Sequence, residues 1–397
     1  MHKKSQKKQA LQAADKAASL ALYSYAAGIT VTPICLVHLS AIFSLSLSQG
    51  SGIEAVRALF IVITLVGSTF IAAALGKMRS LGAGALLMGA GLLLYAAAPG
   101  YLVILLAAAL VGAGGGLIEA LVNPLVQELH PADSGRHLNT VNAFFSVGVF
   151  VTVLSAGELL TRGVSWRLLF GVTGLIALGT GLVFMVLRRR GVREKRRSMG
   201  QVLSHKKEIL RHPRFPVFAA MMFLAGGTEG AFTFWSASYI QINFGALPRM
   251  GGIGTACFAG GMLIGRFAGG HFVSQKGVPR LIALSALLGI ISALAAPFVT
   301  GLLLFLVVLF FAGLSVACFW PSIQSYAAER IGSDPTALFV LLSFAGIPGF
   351  GAVPWFMGMM GDRFGLRAGF FLLPFLFLLL LGLLFVERKA TASRPQF

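Results

Sequence analysis

Gly116-Leu117-Ile118-Glu119-Ala120-Leu121-Val122-Asn123-Pro124-Leu125-Val126-Gln127 recurs in outline as Gly313-Leu314-Ser315-Val316-Ala317-Cys318-Phe319-Trp320-Pro321-Ser322-Ile323-Gln324. Gly-Leu, Ala, Pro and Gln keep their spacing, and the offset of 197 residues is about half of the 397-residue chain. Ala97-Ala98-Pro99 returns as Ala295-Ala296-Pro297, and Trp166-Arg167-x-x-Phe170 as Leu366-Arg367-x-x-Phe370. Single matches are common in Gly/Ala/Leu-rich helices, but ordered matches at a nearly constant offset are not. The chain therefore reads as two homologous halves.

Hydrophobic residues make up 57% of the chain against 11% charged, and 49 glycines outnumber 13 acidic residues. Soluble domains carry roughly 25% charged residues, so this chain cannot cover a surface in water, and its solvent is lipid. Crossing the hydrocarbon core takes about 20 apolar residues in a form that satisfies its own backbone, which here means helices. The apolar runs predict twelve of them, over 18–45, 53–76, 81–98, 101–128, 138–161, 166–187, 215–243, 251–273, 279–298, 301–328, 336–360 and 366–387. The expected fold is all-α and polytopic, with twelve transmembrane helices in two pseudo-symmetric six-helix bundles. The bundles are 1–187 and 215–397, joined by a basic cytoplasmic linker at 188–214. Such a repeat is the architecture of a transporter that alternates access by rocking one half against the other.

The net charge of +19 suggests nucleic acid until the 32 Lys and Arg are located. They fall in short segments between apolar runs, such as Lys3, Lys4, Lys7 and Lys8, and the block from Arg188 to Arg214. No aromatic-interleaved patch or recognition-helix pattern accompanies them, so no nucleic-acid partner is expected. With both termini inside, about 26 cationic residues are cytoplasmic, which sets the orientation by the positive-inside rule. The run from Ala17 to Leu47 is too long for a signal peptide and reads as the first helix. Cys35, Cys257 and Cys318 lie in apolar runs without CxxC spacing and read as packing residues.

Few side chains in these helices can carry chemistry. A carboxylate near the bilayer centre costs about 3 kcal/mol on insertion scales, so Glu119 and Glu229 must face the interior and have a role. Glu119 and Asn123 are four apart, on one face of helix four. Desolvation favours the neutral form of a carboxyl, which eases uptake and release of a proton near neutral pH. An acid beside an amide suits a proton-coupled sugar or polyol site, because hydroxyls need both acceptors and donors. The competing reading is that both acids only hold helices together by pairing with amides or backbone groups. Glu158, one turn before Arg162, reads as an interfacial ion pair, and His38 in the outer part of helix one is a further binding candidate. Gly112, Gly114, Gly115 and Gly116 permit close helix contact, and Pro348, Gly349, Gly351 and Pro354 could bend helix eleven.

Gly265-Arg266-Phe267-Ala268-Gly269-Gly270-His271-Phe272-Val273-Ser274-Gln275-Lys276-Gly277 resembles the G-R-x-x-G-G-x-x-x-D-R-x-G pattern of the major facilitator superfamily, with its acid replaced by Ser274. Gly76-Lys77-Met78-Arg79-Ser80-Leu81-Gly82 is the shortened counterpart after helix two, and Gly361-Asp362-Arg363-Phe364-Gly365 matches the same family before helix twelve. This resemblance implies conformational roles for Gly265, Arg266, Lys77, Arg79, Asp362 and Arg363. Within the superfamily, Gly116-Leu117-Ile118-Glu119-Ala120-Leu121-Val122-Asn123-Pro124 and Leu138-Asn139-Thr140-Val141-Asn142-Ala143-Phe144-Phe145-Ser146-Val147-Gly148 are similar to patterns of the fucose permease-like family of sugar–proton symporters. Gly227-Thr228-Glu229 and Phe319-Trp320-Pro321-Ser322-Ile323 resemble it too.

The resemblance implies proton coupling through Glu119 and Glu229 and substrate binding by Asn123, Asn139, Asn142 and Trp320, and residue type and helix position add Trp235, Gln324 and His38 as binding candidates. The implied partners are a small-molecule substrate, protons and the lipid bilayer, in a functional monomer of the cell inner membrane with no cofactor. Where the fucose permease carries an aspartate in helix one, this chain has Thr32 and Pro33, so coupling through Glu119, through Glu229 or through no proton stays open. The alternative is an exporter of drugs or other amphipathic metabolites. Drug exporters of the superfamily usually carry an arginine in helix four and Gly-Pro in helix five. Here Ala107 to Gly112 has no arginine, and helix five has Gly148 and Gly157 without proline. No HExxH or GxSxG occurs and no histidines are spaced for a metal, so neither enzyme nor metal site is expected.

Overall fold

A computed structural model describes residues 2–130, 134–189, 208–332 and 335–392 of the chain. Most of the predicted linker at 188–214 lies outside the described residues. The helices are α1 (His2–Phe43), α2 (Leu47–Leu75), α3 (Lys77–Ala97), α4 (Tyr101–Leu129), α5 (Ser134–Thr161), α6 (Trp166–Arg189), α7 (Phe215–Asn243), α8 (Pro248–Phe272) and α9 (Val278–Ala295). They continue with α10 (Leu302–Ile331), α11 (Pro335–Phe364) and α12 (Leu366–Lys389). Eleven of these are long and apolar enough to cross a membrane. The twelfth, α8, lies where the sequence predicts a span, and its glycines with Arg249 and Arg266 dilute its apolar character.

Boundaries move where polar chemistry overrides apolar pattern. α1 begins at His2, far ahead of its apolar run, because Lys, Gln and Ala are strong helix formers whatever their solvent. α2 begins at Leu47 rather than residue 53 because Ser46 and Gln49 form a capping box. The Ser46 amide donates to Gln49 Oε1 (3.0 Å) and the Gln49 amide to Ser46 Oγ (3.2 Å). The remaining first-turn donors go to Asp362, whose Oδ1 accepts from the Leu47 amide at 2.6 Å and Oδ2 from the Ser48 amide at 3.1 Å.

The chain divides into two compact units, Met1–His38 with Val56–Met199, and Leu39–Ala55 with Gly200–Phe397. The end of α1 and the start of α2 thus belong with the second unit, whereas the repeat alone assigns them to the first. The Asp362 cap is one cause. A second is Gly358, where a Cβ would overlap Ser51 Oγ and meet the Leu47 carbonyl at 2.7 Å. Asp362→Ala should cost about 1 kcal/mol, the usual worth of a helix cap, and Asp362→Asn a smaller part of it. Thermal unfolding of the purified protein in detergent checks the order, and an alanine variant as stable as wild type would mean that water caps α2 equally well.

Within the first unit α3 packs on α4 and α6, and α1 meets α6 through a buried hydrogen bond between Ser24 and Thr180 hydroxyls (2.9 Å). Within the second, α7 packs on α11, α8 on α10 and α9 on α12. The repeat survives at the level of backbone contact. A Cβ on Gly116 would sit 2.9 Å from the Ile61 carbonyl, and one on Gly313 would overlap the Phe258 carbonyl, both residues of the second pair lying 197 positions beyond those of the first. The sequence echoes at Ala98 and Arg167 also meet in space. Arg167 donates to the Ala96 (2.7 Å) and Ala98 (3.0 Å) carbonyls, and its counterpart Arg367 donates to the Pro297 carbonyl.

Candidate functional site

In the second unit the site begins with a proline. Pro321 has no amide hydrogen, so the Ala317 carbonyl four residues earlier loses its helical partner. α10 divides there into Leu302–Val316 and Phe319–Ile331. Arg266 on α8 meets the freed carbonyl, with Nε donating to Ala317 O at 3.3 Å. One residue along, the Cys318 thiol donates to the Gly265 carbonyl at 3.2 Å. Gly265 allows this approach, since a Cβ there would lie 2.6 Å from that of Ala317.

The other arm of Arg266 reaches α7, where Nη2 donates to Glu229 Oε1 at 3.4 Å. Glu229 Oε2 is buried and has no hydrogen-bond partner among the described residues. The Trp320 indole faces the same carboxyl. Its ring lies against Gly346 of α11, 2.6 Å from where a Cβ would stand. Gln324, one turn beyond, donates from Nε2 to Ser343 Oγ of α11 at 3.1 Å. Three predicted residues, Glu229, Arg266 and Trp320, therefore meet at one helix break. Arg266 lies inside α8 and serves the acid of α7, where the family pattern reads it as the edge of a loop motif.

In the first unit, Asn142 of α5 donates from Nδ2 to Asn123 Oδ1 of α4 at 2.9 Å and to the Leu138 carbonyl at 2.8 Å. Glu119 is exposed one turn before Asn123. α4 stays continuous past Pro124, so the two halves differ at their matching prolines. Lys77 donates to Glu128 Oε1, Arg79 is half-buried and Arg363 exposed. His38 is half-buried with Nδ1 lacking a partner among the described residues. The side chains of Asn139 and His271 lie outside the described residues.

Trp235 sits apart from this chemistry. It is fully buried, and its one polar hydrogen goes to the Pro354 carbonyl at 3.0 Å, so the ring is spent on holding α7 to α11. The Glu158–Arg162 pair forms as expected, at 2.7 Å.

Three groups of charged residues were missed. Glu54 and Arg57 are buried one turn apart on α2, a spacing visible within an apolar run. Glu387, buried on α12, accepts from the Tyr326 hydroxyl and faces Arg214 and Arg330, each at 3.7 Å. Asp15 on α1 lies against His130 at the end of α4 and His137 on α5. Packing of helices, and not sequence spacing, brings these three side chains together.

Residues 17–247 match the Major Facilitator Superfamily, and the chain belongs to that family of membrane transporters. It is 27% identical over 285 residues to Membrane protein MosC of Rhizobium meliloti, covering 71% of this chain and 67% of that one. It is 28% identical over 192 residues to an uncharacterized MFS-type transporter of Yersinia pestis, 46% of this chain and 47% of that one. Its fold is similar to that of a bacterial homolog of the human lysosomal transporter Spinster in an inward-facing, unoccupied conformation. That likeness has a TM-score of 0.78 and 16% identity, and covers 98% of this chain and 99% of the other. A variant of the nucleoside transporter NupG is similar at TM-score 0.77 and 11% identity, over 95% of this chain and 99% of that one. At these identities the solved structures share the fold alone.

Proposed function

We propose that this transporter carries a small polar solute of the sugar or polyol class by alternating access, with proton symport, as in the fucose permease-like family. On this reading it works as a monomer in the cell inner membrane with both termini cytoplasmic. The observation that carries the reading is the Glu229 carboxyl, with one oxygen held by Arg266 and the other buried beside Trp320 without a hydrogen-bond partner among the described residues. While ionised, the carboxylate holds the guanidinium, and a proton removes the charge that holds it. Among the described residues Arg266 then keeps the Ala317 carbonyl, at the break of the helix that carries Trp320 and Gln324. A proton on α7 is thereby linked to the geometry of α10. In the first unit, the polar atoms that the Asn123–Asn142 pair leaves over, with the exposed Glu119, can donate to and accept from hydroxyls.

The test is uptake of labelled hexoses, deoxyhexoses and amphipathic drugs into proteoliposomes, with and without an inward proton gradient. Sugar accumulation only with the gradient is expected. Drug movement without sugar flux would replace this reading with the exporter. Glu119→Gln should abolish proton-driven uptake, leave exchange partly intact and raise the half-saturation concentration about tenfold or more, the worth of a hydrogen bond to a charged group. Wild-type accumulation by that variant would make Glu119 a structural residue.

A further inference from the structure

The Asp15–His130–His137 cluster takes no part in the transport reading. His130 Nε2 lies 2.8 and 3.0 Å from the two Asp15 carboxylate oxygens, and His137 Nδ1 lies 3.3 Å from the second. The two imidazoles are stacked, with centroids 3.5 Å apart and planes within 3°, so one ring must turn for both in-plane lone pairs to reach a common ion. One donor atom from each residue lies within 4.8 Å of the others. We propose that these three residues form a binding site for a divalent transition-metal ion of the zinc class.

The distances suit the ion. Ligands at about 2.0–2.1 Å in a tetrahedron stand roughly 3.3 Å from one another, against 2.8–3.3 Å from carboxylate oxygens to ring nitrogens and at most 4.8 Å across the whole set. The chemistry suits it as well. Two imidazoles and a carboxylate favour zinc-like ions, whereas calcium and magnesium take oxygen ligands and copper(I) takes sulfur. Side-chain exposures of 15% for His130, 33% for His137 and 20% for Asp15 leave room for water or another small ligand to complete the shell. The donors come from α1, the end of α4 and α5, so a bound ion ties three elements of the first unit together. Without an ion, the same carboxylate would merely hydrogen-bond both rings, and the experiment separates these two states.

The full chain, purified in detergent with an affinity tag free of histidine, is titrated with ZnCl2 by calorimetry. Saturable binding of one zinc ion per chain and a rise in melting temperature are expected, with no response to MgCl2. His130→Gln, His137→Gln and Asp15→Asn should each weaken binding at least about tenfold, since even outer-shell partners of a metal ligand are worth 10–100-fold in affinity. His212→Gln should bind as wild type does. CoCl2 added to the wild-type chain should give the visible absorption of tetrahedral cobalt without a sulfur charge-transfer band, a readout that needs no variant to fold. Absence of saturable zinc binding by the wild-type chain, or undiminished binding by both histidine variants, would overturn the proposal.

Discussion

Glu229→Gln leaves the protein folded and able to exchange substrate across a membrane, but accumulation driven by an inward proton gradient disappears. Glutamine copies the shape of the protonated acid and cannot lose a proton, so it fixes α7 in the state that does not hold Arg266 by charge. The stability cost should be small. Arg266 is 44% exposed while Glu229 is 13% exposed, so the abandoned guanidinium still reaches water. The loss is then nearer the about 0–1 kcal/mol of a solvated ion pair than the about 3–5 kcal/mol of a fully buried one. Counterflow and gradient-driven uptake, measured on the same proteoliposomes together with thermal unfolding in detergent, separate the possibilities. Loss of counterflow together with a large fall in melting temperature would make the Glu229–Arg266 pair a structural tie. Wild-type accumulation would remove Glu229 from coupling altogether.

This prediction rests on a link that no local pattern encodes. Helix positions were legible because apolar runs of spanning length leave few choices, and the halves were legible because Gly116 and Gly313 need the same closeness to a neighbouring backbone. Glu229 and Trp320 stood out as an acid and an aromatic beside a proline within apolar helices. Their meeting through Arg266 did not, since the arginine belongs to a pattern that points to the loop after α8. Asp15, His130 and His137 were illegible for a related reason. Each is unremarkable in its own segment, and only the packing of α1 against α4 and α5 makes them neighbours. Trp235 shows the opposite case, because a tryptophan within an apolar helix looks like a binding residue until its indole hydrogen is found on Pro354. The start of α2 was legible in principle, as Ser46-x-x-Gln49 is a capping box, but apolar runs alone do not report it.

Gly349→Ala should be a strongly damaging single-methyl change on α11. A Cβ there would overlap the Phe223 carbonyl and stand 3.0 Å from the Gly227 amide nitrogen, so it meets backbone on α7 and not a side chain that could turn away. The contact is one rung of a series. A Cβ on Gly226 would overlap the Gly346 carbonyl, and one on Gly230 would lie 2.6 Å from the Phe350 carbonyl. Relief at Gly349 therefore requires the two helices to part over the whole series, with loss of the packing that drives helix association in lipid. Overpacking a core costs about 1–3 kcal/mol when side chains can adjust, and here the obstacle is main chain, so the upper end of that range or beyond is expected. Gly179→Ala and Gly382→Ala are the controls. Neither new methyl would meet anything within 4 Å, and each replaces glycine in a helix by a residue of better helix propensity. Melting temperature and the monodisperse fraction in detergent should fall for Gly349→Ala and hold or rise for the controls. A Gly349→Ala variant as stable as Gly382→Ala would mean that α7 and α11 can separate at little cost, and that this pair is a sliding contact instead of a fixed one.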